Sequence, residues 1–282
     1  MTEENAAQAA FWEGDPGQAW VRLQPELDEI HAPVLAELLA RADARRGERV
    51  IDVGCGAGTS SLAFAGRVGP HGRVEGIDIS GPLLERAEKL ARQSGHDHLS
   101  FRHADAQDAD FEPGAADLVA SRFGVMFFAD PVAAFANLRR ALAADGRLVF
   151  AAWDEARHNP WFATPRQVAV ARLGEPAPGD PDGPGPMAFR DPGRVVGLLE
   201  AAGFREAACE TVDLELVLSE GAPGLRRLLP VIGPIKSVVR EQGGTPEDLD
   251  ALIEETIQAF APHLGPRGLR LPARVHFFRA LV

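Results

Sequence analysis

Two hydrophobic periodicities alternate along the first half of the chain. Between residues 10 and 46, apolar side chains recur at Leu27, Ile30, Val34, Leu35, Leu38 and Leu39. That spacing lies close to the 3.6-residue helical period and predicts a helical segment. A charged stretch over 41–48 closes it. Arg49–Val53 is then a short β-branched run that stops at a glycine cluster, the pattern of a buried strand. The spacing predicts a helix over 60–67, a strand over 72–78, a helix over 82–93 and strands over 99–103 and 116–121. A helix over 131–143 and a strand over 147–153 follow. Strands and helices in this alternation predict right-handed βαβ units and a parallel sheet with both faces covered. The nearly continuous apolar runs suit strands buried on both faces.

The alternation breaks after residue 153. A helix is expected over 161–173. The segment 174–193 holds six prolines and five glycines in 20 residues, which sustains neither a helix nor a central strand and reads as a loop. A helix over 194–202 should end at Gly203 as its C-cap. A strand over 211–218, helices near 225–240 and 246–261, and a last strand over 272–282 complete the reading. The organisation expected is an N-terminal helical cap segment (1–47) and an α/β core (48–153). A cap or lid insertion with its Pro/Gly-rich loop (154–205) follows. A C-terminal part (206–282) then completes the sheet and carries a helical insertion near 220–265.

Composition narrows the function classes. The 282 residues are 45% hydrophobic and 25% charged, an ordinary globular balance. No apolar run approaches the roughly 20 residues that cross a bilayer. The acidic start of the chain lacks the basic-then-apolar order of a secretory signal. Cys55 and Cys209 form no metal-ligand or disulfide pattern. These features predict a cytoplasmic protein with no membrane partner and no metal. The net charge of −12 opposes binding to a polyanion, and no Lys/Arg run offsets it, so no nucleic-acid partner is expected. Arg45-Arg46, Arg139-Arg140 and Arg226-Arg227 read as solvated helix surface. Tyrosine is absent, so any general base must be another residue type.

The strongest chemical signal is Val50-Ile51-Asp52-Val53-Gly54-Cys55-Gly56-Ala57-Gly58-Thr59. Glycines here let the backbone turn sharply and approach a ligand without Cβ clashes. The following helix presents unpaired N–H groups to that ligand. The same glycines would also serve a plain strand–helix turn. What raises the ligand reading is Asp78, 20 positions beyond Gly58 at the end of the next strand. A carboxylate placed there can accept from both hydroxyls of a ribose. The glycine spacing departs from the G-x-G-x-x-G dinucleotide fingerprint, because position 59 is threonine.

At these residues the chain resembles the class I S-adenosylmethionine-dependent methyltransferases, and within them the UbiE/type-11 small-molecule branch. Asp52–Thr59 matches the nucleotide motif and Gly76-Ile77-Asp78-Ile79-Ser80 the ribose motif. His103-Ala104-Asp105-Ala106 matches the adenine motif, and Ala116-Asp117-Leu118-Val119 the fourth strand. Leu142–Leu148 resembles the turn before the fifth strand, but Ala144 and Asp145 replace its usual Pro and Gly. The resemblance covers about residues 48–153. It implies a Rossmann-like doubly wound α/β sheet, mostly parallel with the last strand antiparallel, and helical cap segments. It implies S-adenosylmethionine as cofactor, held by Asp52, Gly54, Cys55, Gly56, Gly58, Asp78, Ile79, Asp105, Ala106, Ser121 and Arg122. The partner it implies is a small-molecule acceptor with an O, N, S or C nucleophile, and at most a second copy of the chain in a homodimer.

The acceptor pocket is the less legible part. Trp12 and Trp20 precede the core in the cap segment, Phe123 follows the fourth strand, and Trp153 ends the fifth. All four are candidates for an aromatic wall at the ligand edge, with hydrophobic packing as the plainer alternative. Arg122 is a candidate for an anionic group of acceptor or cofactor, with a surface ion pair as the alternative. His31 and His158 are candidate bases by residue type alone, as is His98. Cys55 reads as a small filler rather than a nucleophile. Three other function classes remain in competition: a non-catalytic cofactor-binding protein, an NAD(P)-dependent oxidoreductase, and a nucleic-acid methyltransferase. Charge disfavours the last, as does the position of Asn159-Pro160-Trp161 after the fifth strand rather than the fourth.

Overall fold

A computed structural model describes residues 3–282; Met1 and Thr2 of the expected cap segment lie outside the described residues. Eight strands build one sheet. β1 (Arg49–Val53), β2 (Arg73–Asp78), β3 (Leu99–His103), β4 (Ala116–Arg122) and β5 (Leu142–Trp153) run parallel in the order β3-β2-β1-β4-β5. β8 (Gly268–Leu281) adds to β5 antiparallel, and β6 (Arg205–Leu218) pairs beyond it. The two-residue β7 (Leu264–Gly265) pairs with β8. The sheet is therefore the Rossmann-like doubly wound one expected, with the last long strand antiparallel.

The order reverses between β1 and β4, so the carboxyl ends of β1, β2, β4 and β5 flank the crevice where such sheets bind ligands. Leu118, Val119, Ala120, Leu148, Val149 and Phe150 are fully buried, as are Phe64 of α4 (Thr59–Val68) and Phe135 of α6 (Pro131–Ala141). Helices on both faces thus bury the central strands, each large side chain contributing about 1.5–3 kcal/mol. Local signals set the helix starts. Ser80 accepts from the Leu83 amide ahead of Pro82 at the start of α5 (Gly81–Ser94), and Asp130 accepts from Ala133 ahead of Pro131 in α6.

Several boundaries differ from the sequence reading. The region 10–46 is three helices: α1 (Glu3–Glu13), α2 (Asp15–Arg22) and α3 (Gln24–Ala42). Gly14 breaks the first junction, and Pro16 and Pro25 open the next two helices at positions where a missing N–H is harmless. The helix expected near 225–240 is split into α9 (Ala222–Leu228) and α10 (Ile235–Glu241), because Pro230, Gly233 and Pro234 lie between them. β6 begins six residues earlier than its alternating stretch, beyond a bulge between Arg205 and Ala208. β8 likewise starts at Gly268. Pairing with a neighbour, rather than local pattern, extends both strands. α8 (Pro192–Ala201) ends near Gly203, whose φ of +89° fits its expected capping place. α7 (Pro160–Leu173) packs on α10 and on α11 (Pro246–Ala259), so the two insertions form one helical layer.

Candidate functional site

The glycine turn joins β1 to α4. Gly54, Gly56 and Gly58 all take positive φ, +64°, +55° and +86°, which favours glycine over any residue with a Cβ. Their surroundings differ. A Cβ on Gly54 would lie 2.5 Å from the Gly124 Cα, and one on Gly58 would lie 2.9 Å from the Ala87 Cβ. Those two glycines let backbones and helices close up. A Cβ on Gly56 would meet nothing within 4 Å, so Gly56 faces open space, as a ligand cradle requires.

Asp78 stands at the end of β2, buried, and holds that cradle. Its carboxylate accepts from the Gly56 amide at 2.7 Å and from the Ser80 amide at 2.9 Å. Burial pushes its pKa up, and the amides of Gly56, Ser80 and Ile79 pull it back. Ser80, not Asp78, caps α5. Asp52, the residue before the end of β1, is fully buried. Its Oδ2 takes the hydroxyls of Ser60 and Ser61, each at 2.6 Å, while Oδ1 has no partner. Burial raises its pKa to about 6 against the pull of those hydroxyls and of Arg122. Cys55 is buried between the two acids, and burial with their charge pushes its thiol well up, which leaves it inert.

Ser121 lies at the end of β4 and its hydroxyl is used structurally. It donates to the Val53 carbonyl at 2.7 Å and accepts from the amides of Gly124 and Val125. This latch holds Phe123, a non-glycine residue at φ +71°, beside the cradle, and strain of that kind gathers at functional sites. Arg122 pairs with Asp28 of α3 at 3.7 Å through Nη2, while its buried Nη1 has no partner. Asp28 in turn accepts from the Thr59 hydroxyl at 2.9 Å.

Asp105 follows β3. It accepts from the Asn5 side chain of α1 and from the Gln107 amide. Neighbouring Ala106 is buried, and its carbonyl accepts from Asn137. The Ile79 carbonyl meets His103 Nε2 at 2.9 Å. α1 is tied across this edge: Ser80 Oγ donates to the Trp12 carbonyl at 2.8 Å, and the Gly81 amide to Glu13 at 2.8 Å.

The aromatic candidates converge. Trp12 meets Trp20 edge-on at 5.6 Å, and Trp20 lies nearly parallel to His31 at 6.3 Å. His31 meets Phe123 at 5.5 Å and Trp153 at 6.1 Å, and Phe123 stacks on Trp153 at 4.3 Å. Burial, helped by the charge of Arg122, lowers the His31 pKa to about 3. His158 is not in this cluster. It pairs with Asp154 at 2.7 Å, and Asp154 lines a polar cleft with Thr211, Arg274 and His276. His98 meets the Ala65 carbonyl away from the site. Sequence reasoning missed Asn5, Asp28, Ser60 and Ser61, and Phe162, which abuts Trp153. Only the helix-start serines carried any local signal.

A parallel sheet of this order, with a glycine cradle and a buried acid on the adjacent strand, is the nucleotide site of the class I methyltransferase fold. The residues fit S-adenosylmethionine: Gly56 leaves open space beside Asp78, and Asp52 and Arg122, whose charges act on one another, each keep a buried atom without a partner, Oδ1 and Nη1. They match the ammonium and carboxylate of an amino-acid tail. A methyltransferase domain model matches residues 44–171. Nocamycin O-methyltransferase from Saccharothrix syringae is 34% identical over 196 residues, which span 67% of this chain and 70% of that one. Aklanonic acid methyltransferase DauC from Streptomyces sp. (strain C5) is 35% identical over 122 residues, 43% of this chain and 56% of that one. A SAM-dependent methyltransferase structure from Aquifex aeolicus shares the fold at a TM-score of 0.53 and 20% identity, covering 71% of this chain and 92% of that one. The chain belongs to the class I S-adenosylmethionine-dependent methyltransferase family.

Proposed function

We propose that the protein transfers a methyl group to a small, planar, largely apolar acceptor, in the manner its O-methyltransferase relatives suggest. The observation that carries this is the aromatic cluster of Trp12, Trp20, Phe123 and Trp153, set against the cofactor cradle. Bound S-adenosylmethionine would supply an electrophilic methyl on a sulfonium. Gly54–Gly58 and Asp78 would hold the nucleoside, Asp105 and Ala106 the adenine, and Asp52 and Arg122 the amino-acid tail. The aromatic walls would orient the acceptor and exclude water. The acceptor lone pair would take that methyl while sulfur keeps the electron pair of the broken C–S bond, and the acceptor proton would leave to solvent. Orientation in a dry site is then the main source of rate.

In this reading α1 and α2 and the helical layer of α7 and α9–α11 are the cap, whereas α3, expected within the cap segment, packs on β4, β5 and β6 and belongs to the core. The net charge of −12 supports a small molecule over a nucleic acid. No helix among the described residues is long and apolar enough to cross a membrane. Two free cysteines suit the cytoplasm. A homodimer belongs to the same proposal and is decided by light scattering. The reading as a whole is tested with methyl-labelled S-adenosylmethionine and extracts fractionated by polarity. Label is expected in apolar aromatic products. A protein that binds the cofactor yet labels nothing would be a non-catalytic binder.

A further inference from the structure

His31 is the one polar side chain in the aromatic cluster. It sits on α3 one turn after Asp28 and is 8% exposed. Trp20, Phe123 and Trp153 surround its ring at 5.5–6.3 Å. Among the described residues, nothing hydrogen-bonds either ring nitrogen. A neutral imidazole carries one donor and one acceptor, and neither His31 nitrogen is among the buried atoms left without a partner, so both stay open to water or a ligand. Nearby polar groups are largely spoken for: Asp28 by Thr59, Gln24 and Arg122, and Ser121 by three backbone groups. The charge that acts on this ring is Arg122 of β4, which is itself paired with Asp28 and under the influence of Asp52.

A hydroxyl is the ligand group that matches a neutral imidazole, because it donates and accepts at the same atom. An ammonium offers only donors, and an ether or carboxylate only acceptors. The flat faces of Trp20 and of the Phe123–Trp153 stack suit an aromatic or enolic ring carrying that hydroxyl. Burial and Arg122 keep His31 neutral to about pH 3. It therefore holds a hydroxyl in place without storing its proton. We propose that His31 is the positioning residue for the acceptor, and that the acceptor is a phenol or enol whose hydroxyl docks on this ring. The proposal rests on the methyl-transfer reading and narrows its substrate class to an oxygen nucleophile on a planar ring.

Phenol and toluene are nearly equal in shape and differ in the hydroxyl, so they serve as probes. S-adenosylhomocysteine binding to the full chain is measured first by calorimetry; its absence would overturn the cofactor reading itself. With that complex formed, the ratio of phenol to toluene affinity is measured for the parent, His31→Phe and His31→Gln. The ratio should fall about tenfold in His31→Phe, the scale of one lost buried hydrogen bond. It should stay within about threefold of the parent in His31→Gln, which keeps a donor and an acceptor. An unchanged ratio in His31→Phe, or no binding of either probe to the parent complex, would overturn the proposal while leaving the cofactor reading intact. A readout without substitution uses ring-15N histidine. Phenol should shift the His31 ring nitrogens and toluene should not, and equal responses would count against a docked hydroxyl.

Discussion

The Gly56 amide donates to Asp78 Oδ2 at 2.7 Å, so the carboxylate proposed to hold the ribose also braces the glycine cradle. Replacing it removes two functions at once. Asp78→Ala should lower S-adenosylmethionine affinity about tenfold or more, the scale of losing a charged acceptor worth roughly 1.5–3 kcal/mol. The fold should persist, since the parallel pairing of β1 with β2 does not use this side chain. Calorimetry checks the affinity and circular dichroism the fold. Parental affinity in Asp78→Ala would remove Asp78 from the site.

The three glycines separate on the same grounds. Gly54→Ala forces a Cβ to within 2.5 Å of the Gly124 backbone, at φ +64°. It should lower the melting temperature markedly and yield little folded protein. Gly56→Ala has open space before it and bears only the strain of φ +55°, about 1 kcal/mol on the scale of left-handed non-glycine residues. It should fold and bind cofactor poorly. Thermal melts with calorimetry distinguish the two, and a Gly56→Ala protein that binds normally would deny the cradle its role.

The βαβ core was legible because β1, β2, β4 and β5 are largely buried and the starts of α5 and α6 carry their own caps. The cradle and Asp78 were legible because they lie on one strand–turn–helix unit and the strand beside it. The support around them was not. Asp28 meets Thr59 across 31 positions, and Asn5 meets Asp105 across 100. Such contacts depend on how α1–α3 pack over the sheet edge, which helical periodicity alone leaves open. His31 and His158 looked alike in sequence. The tertiary fold puts one among aromatic rings and pairs the other with Asp154.

Asp52 gives the cofactor-free protein a specific pH dependence. Its folded pKa of about 6 lies above the ordinary value of 3.8. A carboxyl raised on folding favours the folded state below its unfolded pKa, and that advantage is lost as pH rises through the folded value. The Asp52 contribution should therefore fall between about pH 4 and pH 6, by at most about 3 kcal/mol on the scale of 1.36 kcal/mol per pKa unit. Asp52→Asn keeps an acceptor for Ser60 and Ser61 without the buried charge. It should melt higher than the parent at pH 8 without cofactor, and bind S-adenosylmethionine more weakly because the tail ammonium loses its partner. Equal melting temperatures at pH 8 would mean that Asp52 is not buried as a charge.

The strap formed by α1 and α2 should govern turnover more than folding. Its contacts with the core are directed to the ligand edge: Trp12 carbonyl to Ser80, Glu13 to the Gly81 amide and to His103, Asn5 to Asp105. Apart from Gly81, which directly follows, those partners belong to the segments that match the ribose and adenine motifs. The strap also brings Trp12 and Trp20 to the aromatic cluster. The central sheet, by contrast, is buried by α3–α6 and α8. Removing residues 1–20 should leave a folded core with a lower melting temperature. It should weaken cofactor binding moderately, because Asp78 and the glycine turn remain. Methyl transfer should fall by orders of magnitude, because two aromatic walls and the barrier to water go together. Truncated protein with parental turnover would show that the strap plays no part in catalysis. Truncated protein that fails to fold would instead place α1 and α2 in the core, where Gly17 and Ala19 of α2 are already buried.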